Sequence, residues 1–131
     1  MRPTINKKDL LFPELSYEIV GCAYDVHNEL GGGLLEKVYQ KAMAVGLKKR
    51  NIAFTEQAHY PIEYQGEKVG TGFFDFLIED KVVVELKRGS HFSRTHIQQV
   101  LAYLKQSKLK LGILIHFGQE EVLFKRIINE E

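Results

Sequence analysis

Asp75, Glu85 and Lys87 are charged residues in a stretch that otherwise reads as buried strand. Residues 70–87 run Gly-Thr-Gly-Phe-Phe-Asp-Phe-Leu-Ile-Glu-Asp-Lys-Val-Val-Val-Glu-Leu-Lys. Two apolar runs, aromatic and β-branched, flank the polar Glu79-Asp80-Lys81, which is the pattern of a β-hairpin. Burying a charge is costly unless it is paired or binds a metal. Glu85 and Lys87 are two apart, so they share a strand face. A turn at 79–81 sets Asp75 at about the height of Glu85 on the paired strand. Two carboxylates and one ammonium then converge on one patch, as a buried ion pair or as a metal site.

The elements that must hold this patch follow from periodicity. Pro13 suits the first turn of a helix, and Leu15, Ile19, Cys22, Ala23, Val26 and Leu30 recur at helical spacing, so a helix is expected over about 13–30. Gly31-Gly32-Gly33 stops it. Leu34 to Arg50 is expected as a second helix. It is apolar around most of its circumference (Leu34, Leu35, Val38, Ala42, Met43, Val45, Leu47), which implies burial against the sheet. Strands are expected at 54–64, about 68–78 and 82–87. Ser93 or Thr95 caps a third helix reaching Ser107. Leu111 to Phe117 is a continuous apolar run, as in a buried strand, and Val122 to Ile128 is the last strand. The order is α-α-β-β-β-α-β-β. Residues 1–12 are expected as a loose arm and 13–131 as one domain.

Composition removes several classes of function. The 131 residues are 44% apolar and 27% charged, ordinary values for a globular chain. A single cysteine, Cys22, excludes an internal disulfide and a four-cysteine metal site within one chain, and a reducing, cytoplasmic setting is expected. No apolar run approaches the roughly 20 residues of a membrane span, and Met1 to Asp9 is polar, unlike a secretory leader. The net charge of +1 means that any polyanion must be held by a local patch.

Asp75, followed by Glu85-Leu86-Lys87 at the end of the next strand, resembles the D…ExK core of the PD-(D/E)XK nuclease superfamily. Helix, three strands, helix, strand is similar to that superfamily's common core. Gln99-Val-Leu-Ala-Tyr103 on the third helix resembles the QxxxY motif of its exonuclease-like branches. Gly33-Leu-Leu-Glu36-Lys-Val-Tyr39 fits the motif that names the GxxExxY protein family within the superfamily. Each motif alone is short; the likeness rests on their order and on the elements that carry them. Phe74 stands where the superfamily's name has proline. The resemblance runs from about Leu15 to the end. It implies an α/β fold with a restriction-endonuclease-like core, a mixed β-sheet flanked by helices.

The resemblance also implies an enzyme, a Mg²⁺- or Mn²⁺-dependent nuclease that hydrolyses phosphodiester bonds, in DNA before RNA. Phosphodiester hydrolysis needs a nucleophilic water and neutralised phosphate charge, and a hard cation on carboxylate oxygens supplies both. Asp75 and Glu85 are the expected ligands, with the Leu86 carbonyl as a third oxygen and Glu36 as a further acid. Glu36 equally suits a first helical turn, where an acid meets free N–H groups. Lys87 is expected to orient the attacking water, because nearby carboxylates oppose a neutral lysine base. Gln99 is expected to orient water or substrate and Tyr103 to touch a phosphate. Arg88, Arg94 and Lys105 are expected to line a nucleic-acid groove; a solvated charged face is the plain alternative. Tyr39 reads as a packed tyrosine whose hydroxyl finds a partner. His27, His59 and His116 read as scattered, with no histidine-rich metal site. The competing function is an inactive nucleic-acid-binding or protein-interaction module. The small size points to a homodimer or a partner protein, with no membrane association.

Overall fold

The computed structural model describes residues 11–89 and 91–130. Helix α1 spans Pro13–Leu30, with proline in its first turn. It ends at Gly31, whose φ of 76° places it in the left-handed region, and the Gly31 N–H donates to the His27 carbonyl at 2.8 Å. Helix α2 spans Glu36–Lys49 and begins two residues later than the apolar pattern suggests. The cause is local: the Leu34 N–H donates to the Tyr39 hydroxyl at 3.2 Å, and Leu35 is an extended N-cap with ψ 148°. The expected arm falls outside the described residues except for Leu11 and Phe12. The Leu11 carbonyl accepts from Arg126, and Phe12 packs against the core.

The strands are β1 (Phe54–Tyr64), β2 (Glu67–Ile78), β3 (Val82–Arg88), β4 (Leu111–Phe117) and β5 (Val122–Ile128), with α3 (Arg94–Ser107) between β3 and β4. They form one sheet in the order β1-β2-β3-β4-β5. Only β3 and β4 are parallel, and a parallel pair needs a crossover, which α3 provides. Ser93 caps α3, its Oγ accepting the His96 N–H at 3.0 Å.

Helices cover both faces of the sheet. Val82, Val84 and Leu86 of β3, with Ile113 and Ile115 of β4, join the core beneath α1 and α2. Val83 and Leu114 join the core beneath α3, with Val100 and Leu104. Gly112 allows that helix to sit close: a Cβ there would lie 2.6 Å from Val100 Cγ1. Strand alternation therefore turns Glu85 and Lys87 toward the α3 side. Among the described residues, no helix is long and apolar enough to cross a membrane.

Two features depart from the sequence pattern. Helix α2 is not buried around its circumference: Leu35, at its N-cap, and Val45 are 54% and 55% exposed, because α2 docks mainly on α1 and β3 and leaves its outer side open. Also, Phe76 and Ile78 of β2 belong to the α1/α2 core, whereas Phe74, in the same alternation, belongs to the α3 core. The paired strand does the same, with Phe54 on the first core and Ala58 and Tyr60 on the second. The hairpin thus rotates its faces between these rungs, at Gln57 and Asp75. That pair is the rung missing between Glu56↔Phe76 and Ala58↔Phe74, and Gln57 has a φ of 49°. A left-handed backbone at a residue other than glycine is costly, and such strain gathers at functional sites.

Candidate active site

The β2–β3 ladder carries the rungs Ile78↔Val82, Leu77↔Val83 and Phe76↔Val84. The turn before it has Glu79 and Asp80 both at positive φ, with the Lys81 N–H on the Ile78 carbonyl at 2.9 Å, as in a type I′ turn. The next rung would be Asp75 with Glu85. There the side chains take over from the backbone. The Asp75 N–H donates to Glu85 Oε1 at 2.8 Å, and the Leu86 N–H donates to Asp75 Oδ2 at 2.8 Å. Each carboxylate thereby holds a backbone amide of the opposite strand. In a strand, the N–H and C=O of one residue point to the same side. The Leu86 carbonyl is therefore directed to the edge that faces Asp75.

Burial sets the electrostatics. Glu85 is 6% exposed. Burial first, and then the Asp75 charge, push its carboxyl up to about 8. Asp75 is also raised, again by burial, against the lowering effect of the Leu86 amide and Lys87. Lys87, the half-buried partner of His116 across β3–β4, acts favourably on both acids and on Glu36. Two adjacent carboxylates that resist ionising together are a donor set that a divalent cation relieves.

On one side the site is walled by α2. Glu36 stands in the first turn of α2, whose N-cap, Leu35, offers no side-chain bond. The Glu36 carboxyl is raised by burial and feels Lys87, Asp75 and Arg88, and Glu85 in turn feels Glu36, so it lies within electrostatic reach of both acids. Gln40 lies one turn on, on the same helix face. Gln57 Nε2 donates to Gln40 Oε1 at 3.2 Å and to Asp75 Oδ1 at 3.5 Å, which links α2 to the site. Tyr39 is fully buried, flat on Phe117, and its hydroxyl donates to the Gly31 carbonyl at 2.7 Å. It pins the glycine loop that leads into Glu36. Gly33 has a φ of 86°, a backbone that favours glycine.

On the other side stands α3. Tyr103 packs edgewise on Tyr60 and against Phe74, and its hydroxyl is pushed up to about 12 by burial, then by Glu85, Tyr60 and Asp75. Tyr60 is raised to about 12 by burial and Glu85. Both phenols are therefore protonated donors beside the carboxylates. Phe74, in the proline position, stacks on Tyr60 at 4.8 Å. His96 faces Lys87 and the buried His116, and burial holds both imidazoles below their usual range. His116 is thus part of this neighbourhood rather than scattered, with Phe92 edge-on at 4.6 Å. Gln99, exposed, lies between His96 and Tyr103 on the helix face turned to the site. Arg88 lines an adjoining cavity of about 350 Å³ with Gly33, Gly89, Phe117 and Gln119. Arg94 is exposed in the first turn of α3. Lys105 is exposed in the last turn of α3, two positions beyond Tyr103 and so on another helix face.

Tyr60, Gln57 and Gln40 escaped the sequence reading. Tyr60 has a signal, an aromatic alternating with Ala58 on a strand, but that pattern equally reads as core. Gln57 has none, because glutamine is not a residue favoured for a left-handed position.

Among the described residues, no group of three or more His, Cys, Asp or Glu side chains is arranged to hold a metal. A closed zinc-type cage is therefore absent from them. Asp75, Glu85 and the Leu86 carbonyl do fit Mg²⁺, which takes one or two carboxylates and keeps several waters.

The model of the PD-(D/E)XK nuclease superfamily matches residues 13–127, and the chain belongs to that superfamily. Its sheet and helices make the restriction-endonuclease-like α/β fold. Nucleases of this superfamily generally use divalent metals such as Mg²⁺. The crystal structure of SSO0001 is similar to this chain, with a TM-score of 0.57 and 18% identity over 88% of it. The match spans 57% of that longer protein and bears on the fold alone. No curated protein matches the chain.

Proposed function

We propose that the protein is a divalent-cation-dependent nuclease that hydrolyses phosphodiester bonds, with DNA as its substrate, and that it is a GxxExxY-type member of its superfamily. The observation that carries this reading is the clasp at the end of the β2–β3 ladder. It holds Asp75 and Glu85 side by side, with Lys87 in electrostatic reach. Asp75, Glu85 and the Leu86 carbonyl would hold Mg²⁺ or Mn²⁺. When bound, such a cation supplies charge neutralisation at phosphate and a reactive water at neutral pH. Glu36 adds negative charge from α2 and biases the site further toward cations.

Lys87 orients the attacking water and meets the charge that builds on phosphate oxygen. Tyr103 donates a hydrogen bond to a phosphate oxygen, because its hydroxyl, pushed up to about 12, keeps its proton at neutral pH. Gln99 orients water or substrate from the same helix face. Arg88 and Arg94 contact flanking phosphates, and Lys105 contacts the backbone farther away.

The test is cleavage of single-stranded, double-stranded and branched DNA, and of RNA, with Mg²⁺, Mn²⁺ or chelator. Metal-dependent cleavage that disappears in Glu85→Gln supports the reading. Binding without cleavage under every metal condition makes the protein a binding module instead.

A further inference from the structure

Beyond the clasp, the hairpin carries an exposed aromatic pair that the fold does not use. Phe73 and His59 are cross-strand partners on β2 and β1, ring centroids 5.2 Å apart and planes tilted by 30°. Phe73 is 49% exposed, although it lies in the middle of an interior strand. Its neighbours Phe74, Ala58 and Tyr60 turn to the α3 core. Alternation therefore sends Phe73 and His59 to the opposite face. The Gln57 side chain reaches that face too, since it meets Gln40 of α2 there. A continuous strip results: Glu36 and Gln40 on α2, Gln57 and His59 on β1, Asp75 and Phe73 on β2. Two residues of strand separate Phe73 from Asp75, about 7 Å.

We propose that Phe73, backed by His59, is a stacking platform for an unpaired nucleobase beside the scissile phosphate, so that the substrate is single-stranded or locally unpaired nucleic acid. The inference rests on the nuclease reading of Asp75 and Glu85. Every base has a π-face, and single-strand binders use aromatic side chains in this way beside the groove that tracks the backbone. In an intact duplex those faces are covered by neighbouring bases, so the platform has nothing to hold. The rotation of the hairpin at Gln57 is what turns the pair to the α2 side of the sheet, where Gln57 reaches Asp75. Without it, Phe73 would share a face with Leu77, which packs against the α3 core.

The experiment compares wild type, Phe73→Ala and Phe73→Trp. Binding is measured in Ca²⁺ to a short single-stranded oligonucleotide carrying 2-aminopurine and to a blunt duplex of the same sequence. Cleavage is measured in Mg²⁺. Phe73 packs no core, so both variants keep the fold. The expected result is quenched 2-aminopurine with wild type, lost in Phe73→Ala together with about tenfold of single-strand affinity. Duplex affinity stays unchanged, and Phe73→Trp restores quenching. Equal quenching by wild type and Phe73→Ala, or an equal loss on single strand and duplex, overturns the platform even if cleavage is intact. Quenching and binding by a wild type that never cleaves overturn the nuclease reading and leave the platform standing. A wild type that binds neither oligonucleotide overturns both.

Discussion

Tyr39 lies flat on Phe117, with ring centroids 4.3 Å apart and planes within 2°. Its hydroxyl bonds both sides of the glycine loop, at Gly31 and Leu34. Tyr39→Phe keeps the stack and strands a carbonyl and an amide. It is expected to lower stability by about 1–2 kcal/mol. It should also lower cleavage, since the loop sets the position of Glu36. Urea denaturation reads the first effect as a lower midpoint at constant slope. An unchanged midpoint would mean that the hydroxyl pins nothing.

Glu85 should make the metal-free protein less stable as pH rises. Its carboxyl titrates near 8 when folded and near the ordinary 4.5 when unfolded, so the native state binds the extra proton between those values. Stability from this group is constant below about 4.5, falls through the window and levels off above about 8. Glu85→Gln keeps an acceptor for the Asp75 N–H and removes the titration. Each pKa unit corresponds to about 1.36 kcal/mol. At pH 9 the variant should therefore exceed wild type by at least about 1 kcal/mol, and the two should agree near pH 4. Calorimetry in chelator across this range is the check; parallel pH profiles would show that Glu85 ionises freely.

Lys87→Ala should separate rate from grip. A group that acts on the reacting water or on transition-state charge lowers turnover without weakening ground-state binding to match. Single-turnover cleavage is expected to fall by about 10²–10³-fold, with affinity in Ca²⁺ nearly unchanged. Arg88→Ala should do the reverse and flatten the salt dependence of binding by about one unit of slope. If rate and affinity fall together for Lys87→Ala, the lysine is a phosphate clamp.

The juxtaposition of Asp75 and Glu85 was legible because a short polar turn fixes register, and register fixes which residues oppose each other. The element order was legible for the same local reasons: Pro13, the three glycines at 31–33 and Ser93 punctuate the chain where the structure does. What was hidden depends on non-local geometry. Tyr60 and Gln57 reach the acids only because β1 rotates at a left-handed glutamine, and no residue type announces that. The exposure of Leu35 and Val45 was hidden too. Apolar content tells how much surface a helix can bury, not how much its neighbours cover. His116 looked isolated in sequence because the parallel pairing that sets it beside Lys87 joins strands with a helix between them.

The amide clasp also has a history within each folding event. Asp75 and Glu85 are ten residues apart, and a hairpin of this kind closes in about 1–10 μs. In water, two like charges 4 Å apart cost only about 1 kcal/mol, so the acids can meet early. Their repulsion grows when Tyr103 arrives over them with α3 and solvent is excluded. Docking of α3 is therefore the step that the acids oppose, and α3 is the element that alkaline conditions loosen first. Native-state hydrogen exchange would register this as a smaller opening free energy for α3 amides at pH 9 than at pH 6, with the β3–β4 amides unaffected. Uniform loosening of both would place the opposition in the whole fold instead.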